Sequence, residues 1–378
     1  MIKFIHTSDW HLGMQAHFLP DEARARFAQD RFDAVRRIAE IAQDEGCAFV
    51  VVAGDVFDSN HVDPQVVARA LDALSSFTVP VFLLPGNHDP LNAASVYLTG
   101  AWTEHKPELL TVLDELAALP VPGVDGVEVV GGPWRTKRPS TDPAAQCYRV
   151  AASVDGALRV VVAHGMMDEL SPDGDNPSLI DSSALRSAVG GGDVHYVALG
   201  DRHSVTEIPD TGARVQYSGT PVATDYGEVE PNKVLLVTLD DGSCMVEHRE
   251  VGAWAFERQS YDLSGQDDIE ALARQLEAAP SKPTTIVRLA LRGTLSLAAN
   301  AKLEAVLEEN RLKFASLNAW EKQTDLVVAP DESDLAELDV SGYVRETLDE
   351  LAEGAVGTDD GAVVSRDALD LLYRLATK

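Results

Sequence analysis

Cysteine is scarce in this 378-residue chain: Cys47, Cys147 and Cys244 are the three present, and no two of them have CxxC spacing. That excludes a thiolate zinc site and a disulfide framework, and leads us to expect a reducing, cytoplasmic setting. No apolar run reaches 18 residues, so no transmembrane helix is expected. The opening Met1-Ile2-Lys3-Phe4-Ile5-His6 enters a strand-like run directly and lacks a signal peptide's cleavable pattern. Positive charge is also in short supply, with 31 basic side chains against 61 acidic ones and a net charge of −30. A protein that grips a nucleic acid alone usually shows a basic surface, because phosphate neutralisation dominates its affinity. The charge therefore argues against autonomous tight binding of DNA. It does not argue against chemistry on DNA, since bound cations or a partner subunit can supply the missing positive field.

What is present reads as a globular protein, 45% hydrophobic and 24% charged, large enough for one main core and an appended domain. Strand patterns at Ile2–Thr7, Phe49–Ala53, Val81–Leu84, Leu109–Val112, Val127–Val130, Leu158–Ala163 and Tyr196–Leu199 alternate with helical ones. Asp21–Glu45 is the clearest helix, with Phe27, Phe32, Val35, Ile38 and Ile41 at helical spacing. Asp63–Phe77 is another, with Asp63 as cap and Pro64 in the first turn. Arg214–Tyr217, Lys233–Leu239 and Cys244–Val251 read as antiparallel, the last two joined by a turn at Asp240–Ser243. The expected fold is α/β: a two-sheet sandwich flanked by helices over residues 1–261. A small α+β block follows over 262–330, and an acidic helical segment over 331–378. That last segment has four basic side chains against thirteen acidic ones, and Ser365 reads as an N-cap; it is either a solvated helical tail or a docking element, with Leu369, Leu371, Leu372 and Leu375 as a stripe for a partner groove.

Five fragments carry the chemistry, each directly after an apolar run: Asp9-Trp10-His11, Gly54–Asp58, Gly86-Asn87-His88-Asp89, His164-Gly165 and Gly200-Asp201-Arg202-His203. In extended backbone, residues i and i+2 project to one side, so Asp9 and His11 can reach one ion, as can Asp201 and His203. A carboxylate has two oxygens and can bridge two cations, which makes Asp55 the expected bridging ligand. Asn87 offers a neutral carbonyl oxygen, and His164 an imidazole. Hard oxygens mixed with imidazoles point to manganese, iron or magnesium, with zinc also admitted. Two such ions can acidify a water and clamp phosphate oxygens. His88, beside a ligand, is placed to protonate a leaving oxygen or stabilise its charge.

The order of these fragments resembles the calcineurin-like metallophosphoesterase superfamily, whose pattern is DxH, GDxxD, GNHD/E, H and GHxH. The stretch Ile5–Gly13, with Gly54–Asp58, Gly86–Asp89, Tyr196–Leu199 and Tyr217-Ser218-Gly219, resembles more narrowly the SbcD-type nuclease subunits of DNA double-strand-break repair. The motif-bearing resemblance covers about residues 1–230. The later α+β block is similar only in outline to that family's DNA-capping domain. The resemblance implies a first metal on Asp9, His11, Asp55 and His203, a second on Asp55, Asn87, His164 and Asp201, and a catalytic role for His88. It implies a manganese-dependent exo- or endonuclease, a partner ATPase of the SbcC type docking on the C-terminal helices, and a homodimer. The departure is Asp201, where the family has histidine. An aspartate keeps an oxygen ligand there but adds negative charge and hardens the site.

Two rival readings use the same residues. A nucleotide or small-molecule phosphodiesterase would need the metal site but not the appended domain, since fold and site do not fix the substrate. A non-catalytic scaffold would follow if Asp201 had left a degenerate site. Among other residues, Arg135, Lys137 and Arg138 form the densest basic patch, in an expected loop beside Trp134: either an ordinary surface loop, or a contact to a DNA backbone with Trp134 stacking on a base.

Overall fold

The computed structural model describes residues 1–152, 156–174, 176–328, 342–355 and 359–376. They divide into two compact units, Met1–Trp254 and Ala255–Lys378.

In the first unit two six-stranded sheets face each other. One runs in the order Cys244–Glu250, Lys233–Leu239, Ile2–Thr7, Phe49–Val52, Val81–Leu83, Leu110–Val112. The other runs Ala118–Pro120, Val127–Gly131, Leu158–His164, Tyr196–Gly200, Val215–Tyr217, Thr206–Glu207. The central strands of both are parallel. Parallel strands are covered on both faces, which is why Phe49-Val50-Val51-Val52 is apolar without alternation and wholly buried. One face of each sheet meets the other through Phe4, Phe49, Phe82, Val129, Val160, Val162, Tyr196 and Ala198. Phe4 stacks on Phe49 at 4.7 Å and takes the edge of Tyr196 at 5.3 Å. Each fully buried side chain of this size contributes about 1.5–3 kcal/mol. The outer faces are covered by helices Asp21–Asp44 and Pro64–Leu74 on one side, and Ala145–Ala151 and Ser182–Gly190 on the other. The α/β sandwich read from the sequence is therefore the observed architecture.

His6 lies inside this sandwich, bonded to the Tyr196 hydroxyl (3.0 Å) and the Leu199 carbonyl (3.1 Å), so it ties the two sheets together just before the first chemical fragment. Asp63 caps its helix as expected, accepting from the Gln65 N–H at 2.8 Å. The expectation of an antiparallel strand at Arg214–Tyr217 is corrected: Val215–Tyr217 pairs in parallel with Tyr196–Gly200 and antiparallel only with the two-residue Thr206–Glu207. A three-residue buried strand has the same apolar look in either direction, so periodicity could not decide.

The second unit has strands Ala255–Leu263, Thr285–Leu295 and Ser316–Ala319 side by side, with Asp325–Val328 pairing further along the Thr285–Leu295 strand, all in parallel. Helices Gln266–Ala278 and Leu297–Arg311 cover one face through Ile269, Leu272, Leu303 and Leu307. The strand at Ala255–Leu263 escaped the sequence reading because it is an edge strand, half exposed, with few apolar residues in AFERQSYDL. Helices Tyr343–Gly354 and Asp360–Ala376 follow. Two expectations change here. Ser365 lies inside the last helix, whose start is capped by Asp359 accepting from the Ala362 N–H (2.8 Å). The leucine stripe is turned inward: Leu369 is buried with Leu348 and Leu297, and Leu372 packs on them, while Leu371 is exposed. The Leu375 side chain lies outside the described set.

Candidate metal centre

The five fragments all emerge where parallel strands end, and the backbone there is unusual. Asp9 (φ 53°), His11 (44°), Asp55 (53°) and Asp201 (89°) adopt left-handed conformations. Such positions cost about 1–3 kcal/mol each for residues other than glycine and persist only where the surroundings over-determine them. Here the two loops zip past their strand ends: Asp9 N–H donates to Gly54 O (3.0 Å), His11 N–H to Asp55 O (3.0 Å) and Leu12 N–H to Val56 O (2.9 Å). Asp201 N–H donates to both Asp9 carboxylate oxygens at 3.2 Å. Two glycines permit the close approach. A β-carbon on Gly54 would lie 2.1 Å from His164 Nδ1, and one on Gly86 would lie 2.2 Å from Asp55 Oδ1.

The side chains converge in three overlapping groups whose ligand atoms lie within 4.8 Å of one another: Asp9, His11 and His203; Asp9, Asp55 and His164; and His11, Asp58 and His88. Asp55 Oδ2 stands between the two halves, 3.9 Å from His11 Nε2 and 3.4 Å from His164 Nε2. Asn87 Oδ1 is 2.7 Å from His164 Nε2. Asp201 Oδ1 lies 3.6 Å from the same nitrogen, outside the three tight groups and partly exposed. His88 packs edge-on against His11 at 4.8 Å, its backbone N–H on Asp55 Oδ1 (2.9 Å). All eight residues singled out from the sequence thus meet at one place.

The donor set suits divalent cations. His164 Nδ1–H donates to the Ala53 carbonyl (2.8 Å), so Nε2 is the nitrogen that faces Asp55, where the surrounding carboxylates favour a positive charge that a proton or a cation can supply. His203 Nδ1 meets the Thr224 hydroxyl (2.8 Å) and the Glu228 carboxylate (3.0 Å), so its Nε2 faces His11 Nε2 at 3.1 Å, a contact between two nitrogens that a proton or a shared cation must bridge. His11 Nδ1 is buried and has no hydrogen-bond partner among the described residues. The Asn87 oxygen faces the two Asp55 carboxylate oxygens at 3.0 and 3.2 Å; only an amide turned over to present N–H, or a shared cation, relieves that crowding of acceptors. Electrostatics agree. Burial pushes Asp55 up, but His164, His11 and His88 outweigh it and hold the carboxyl below its usual range. Burial pulls His164 down, and Asp55, Asp201 and Asp9 more than reverse it. Burial, reinforced by Asp9 and Asp55 and only partly offset by His164, raises Asp201. The surplus is negative charge with little solvent to screen it, which favours cations.

Several further residues shape the centre without belonging to the expected ligand set, two of them, Asp58 and Asp89, inside the fragments. Asp89 joins two of the loops, accepting from Gly86 N–H (2.8 Å), Phe57 N–H (3.0 Å) and the Tyr97 hydroxyl (2.6 Å). Burial, with the neighbouring Asp55 charge, raises it to about 6. Asp58 Oδ1 stands 3.5 Å from His11 Nδ1, and the Asp58 carbonyl accepts from His88 Nδ1 (2.9 Å). Trp134 corrects an expectation. It is buried, its indole N–H donating to the His164 carbonyl (2.6 Å), so it braces the centre instead of standing out from a loop. The basic residues beside it stay exposed. Lys137 and Arg138 line a cleft of about 810 Å³ whose wall also includes Asn87 and Asp201.

Residues 2–205 match the Calcineurin-like phosphoesterase family, more than half of the chain, and the chain belongs to that family. Among curated relatives, it is 26% identical to the DNA double-strand break repair protein Mre11 of Haloferax volcanii, over 97% of this chain and 79% of that protein. It is 27% identical to a subunit of the SbcCD nuclease of Bacillus subtilis, over 60% of this chain and 63% of that one. It is also 23% identical to the uncharacterized metallophosphoesterase YhaO of Bacillus subtilis, over 78% of this chain and 72% of that protein. The chain is a metallophosphoesterase with clustered aspartates and histidines suited to two metal ions. Among the described residues no helix is long and apolar enough to cross a membrane.

Proposed function

We propose that this protein is a divalent-metal-dependent nuclease that hydrolyses DNA phosphodiester bonds in double-strand-break repair, with an SbcC-type ABC ATPase as partner. The observation that carries the chemistry is the place of the Asp55 carboxylate between His11 and His164, where one residue can serve two ions. Asp9, His11, Asp55 and His203 would hold the first, and Asp55, Asn87, His164 and Asp201 the second, with Mn(II) the first choice for a mixed oxygen and imidazole set. When bound, such a pair supplies an activated water and positive charge for the phosphate oxygens. His88 is the proton carrier. Its Nδ1–H is committed to the Asp58 carbonyl, which leaves Nε2 as the atom to hand a proton to the leaving oxygen.

The direction toward DNA rests on the names of the relatives and on Lys137 and Arg138 beside Asn87 and Asp201 in one cleft. The net charge of −30 supports a division of labour, in which the partner provides most of the backbone contacts. The likeness to the uncharacterized metallophosphoesterase YhaO bears on the fold and the metal site, which do not fix the substrate, so a phosphodiesterase acting on nucleotides or other small esters is the second reading. One experiment separates them: the purified chain with Mn(II) against end-labelled linear DNA, closed circular DNA and nucleotide esters, with and without a co-purifying ATPase. DNA cleavage abolished by Asp55→Ala and by His88→Ala is expected. Undiminished cleavage by the Asp55 variant overturns the assignment, and turnover of nucleotide esters alone selects the second reading.

A further inference from the structure

The segment after the Val215–Tyr217 strand carries none of the expected ligands, yet it touches the first half of the centre at every turn. Ser218 Oγ lies 2.8 Å from Ser8 Oγ, which in turn donates to Asp9 Oδ2 at 2.6 Å. Thr220 Oγ1 donates to the Asp9 carbonyl at 2.9 Å. Val229 N–H donates to Ser204 Oγ at 2.9 Å, next to His203. Glu228 closes the loop: Oε1 accepts from His203 Nδ1 (3.0 Å) and from the Thr224 hydroxyl, whose oxygen itself lies 2.8 Å from His203 Nδ1 so that the carboxylate holds both, and Oε2 accepts from Thr224 N–H (2.8 Å). Its side chain is 6% exposed.

The two halves of the centre are therefore backed differently. Behind His203 stands the Glu228 carboxylate, hydrogen-bonded to it, and behind His11 the Asp58 carboxylate at 3.5 Å, within ion-pair reach of Nδ1 but without a hydrogen bond. Behind His164 stands only the neutral Ala53 carbonyl. A carboxylate on the far nitrogen of a ligating imidazole fixes its tautomer and ring orientation and raises its basicity; a carbonyl orients without adding charge. We propose that Glu228 is a positioning residue of the first metal site: it holds the Nδ1 proton of His203 so that Nε2 is presented toward Asp9 and His11. The inference rests on the reading of the centre as a two-metal site, and it adds an asymmetry that the ligands alone do not contain.

The test is Mn(II) binding, followed by the free-ion electron paramagnetic resonance signal, on the full chain as wild type, Glu228→Gln and Glu228→Ala, with thermal melts in EDTA alongside. The wild type is expected to bind two ions. Glu228→Ala is expected to weaken one of them by about 10–100-fold, the usual cost of losing such a partner, and to leave the other unchanged. Glu228→Gln keeps the shape and loses the charge, so its loss falls between. Should the alanine variant fail to fold, the glutamine variant alone decides. Equal weakening of both ions, or a lower melt in EDTA with both affinities intact, overturns the positioning role. A wild type that binds two ions while neither variant shifts either affinity overturns this inference alone. A wild type that binds none overturns the metal-site reading and this inference with it.

Discussion

Asp201 Oδ1 stands 3.6 Å from His164 Nε2, while the Asp201 backbone N–H holds both oxygens of the Asp9 carboxylate at 3.2 Å. The side chain thus leans toward the second half of the centre, and its backbone braces the first. The left-handed conformation of Asp201 (φ 89°) accommodates both, at a position where an aspartate tolerates it better than most residues. Placed this way, the carboxylate can replace the imidazole that the superfamily pattern carries, at the cost of one more negative charge.

A first prediction follows for this residue. Asp201→Ala is expected to bind one Mn(II) where the wild type binds two, because the substitution removes an oxygen from the half that lacks carboxylate backing. Asp201→His is expected to keep two ions and to move the preference toward zinc, since imidazole is the softer ligand. Calorimetric titration with Mn(II) and with Zn(II) checks both. Two ions of unchanged affinity in the alanine variant would remove Asp201 from the ligand set.

The second prediction concerns the cleft wall. Lys137 and Arg138 are exposed and share the cleft with Asn87 and Asp201. Phosphate contacts position a nucleic acid without reading its sequence. A Lys137→Ala/Arg138→Ala variant is expected to raise KM for oligonucleotides several-fold, more at low salt than at high, and to leave hydrolysis of bis(p-nitrophenyl) phosphate unchanged. Equal losses on both substrates would assign the pair to folding of the loop.

Much of this was legible in the chain because buried parallel strands announce themselves as apolar runs, and the residues just after them are forced to one edge. Asp9, His11, Asp55, Asn87, His88, His164, Asp201 and His203 all follow such runs closely, which is why the sequence alone gathers them. The bracing residues leave no such trace. Asp89 looks like the last letter of a fragment, Glu228 sits in a loop among other acids, and Arg31 is one arginine of several in a helix. Trp134 was misread because a tryptophan between prolines and arginines looks exposed, and only the fold turns its indole onto the His164 carbonyl. The edge strand Ala255–Leu263 was lost because half-exposed strands carry little hydrophobic signal.

Arg31 supplies the third prediction. Its guanidinium is 2% exposed, donates to the Trp10 carbonyl at 2.8 Å and lies 4.7 Å from the Phe27 ring. Burial lowers its pKa to about 10, against the opposing charges of Asp58, Glu228 and Asp30, so it stays cationic at neutral pH and offsets carboxylates around the centre. Arg31→Met is expected to destabilise the metal-free protein by about 1–3 kcal/mol, the range for leaving a buried carbonyl without its charged donor. Mn(II) should restore a good part of the loss, because bound cations compensate the same carboxylates. Melts in EDTA and in Mn(II) measure this. A loss of equal size in both conditions would reduce Arg31 to a packing role.

His6 gives the fourth. It is wholly buried between the sheets, and burial, opposed only by the Leu199 carbonyl, pushes its pKa down to about 3 from an ordinary 6.5. The folded state therefore keeps it neutral, while the unfolded chain takes up a proton below about pH 6.5. Between those values the unfolded state binds more protons, so stability falls with falling pH by up to about 1.4 kcal/mol per unit from this residue. Its contribution is complete above pH 6.5 and is lost progressively toward pH 3. His6→Gln is expected to be less stable than wild type at pH 7.5, having lost the fitted bonds to Tyr196 and Leu199. The gap should narrow as the pH is lowered from 6.5 to 4.5. Urea titrations in EDTA, which removes metal binding from the balance, give the two stabilities. A gap constant across that window would mean that His6 is protonated in the folded protein, and that the bonds holding the two sheets together have a different proton arrangement.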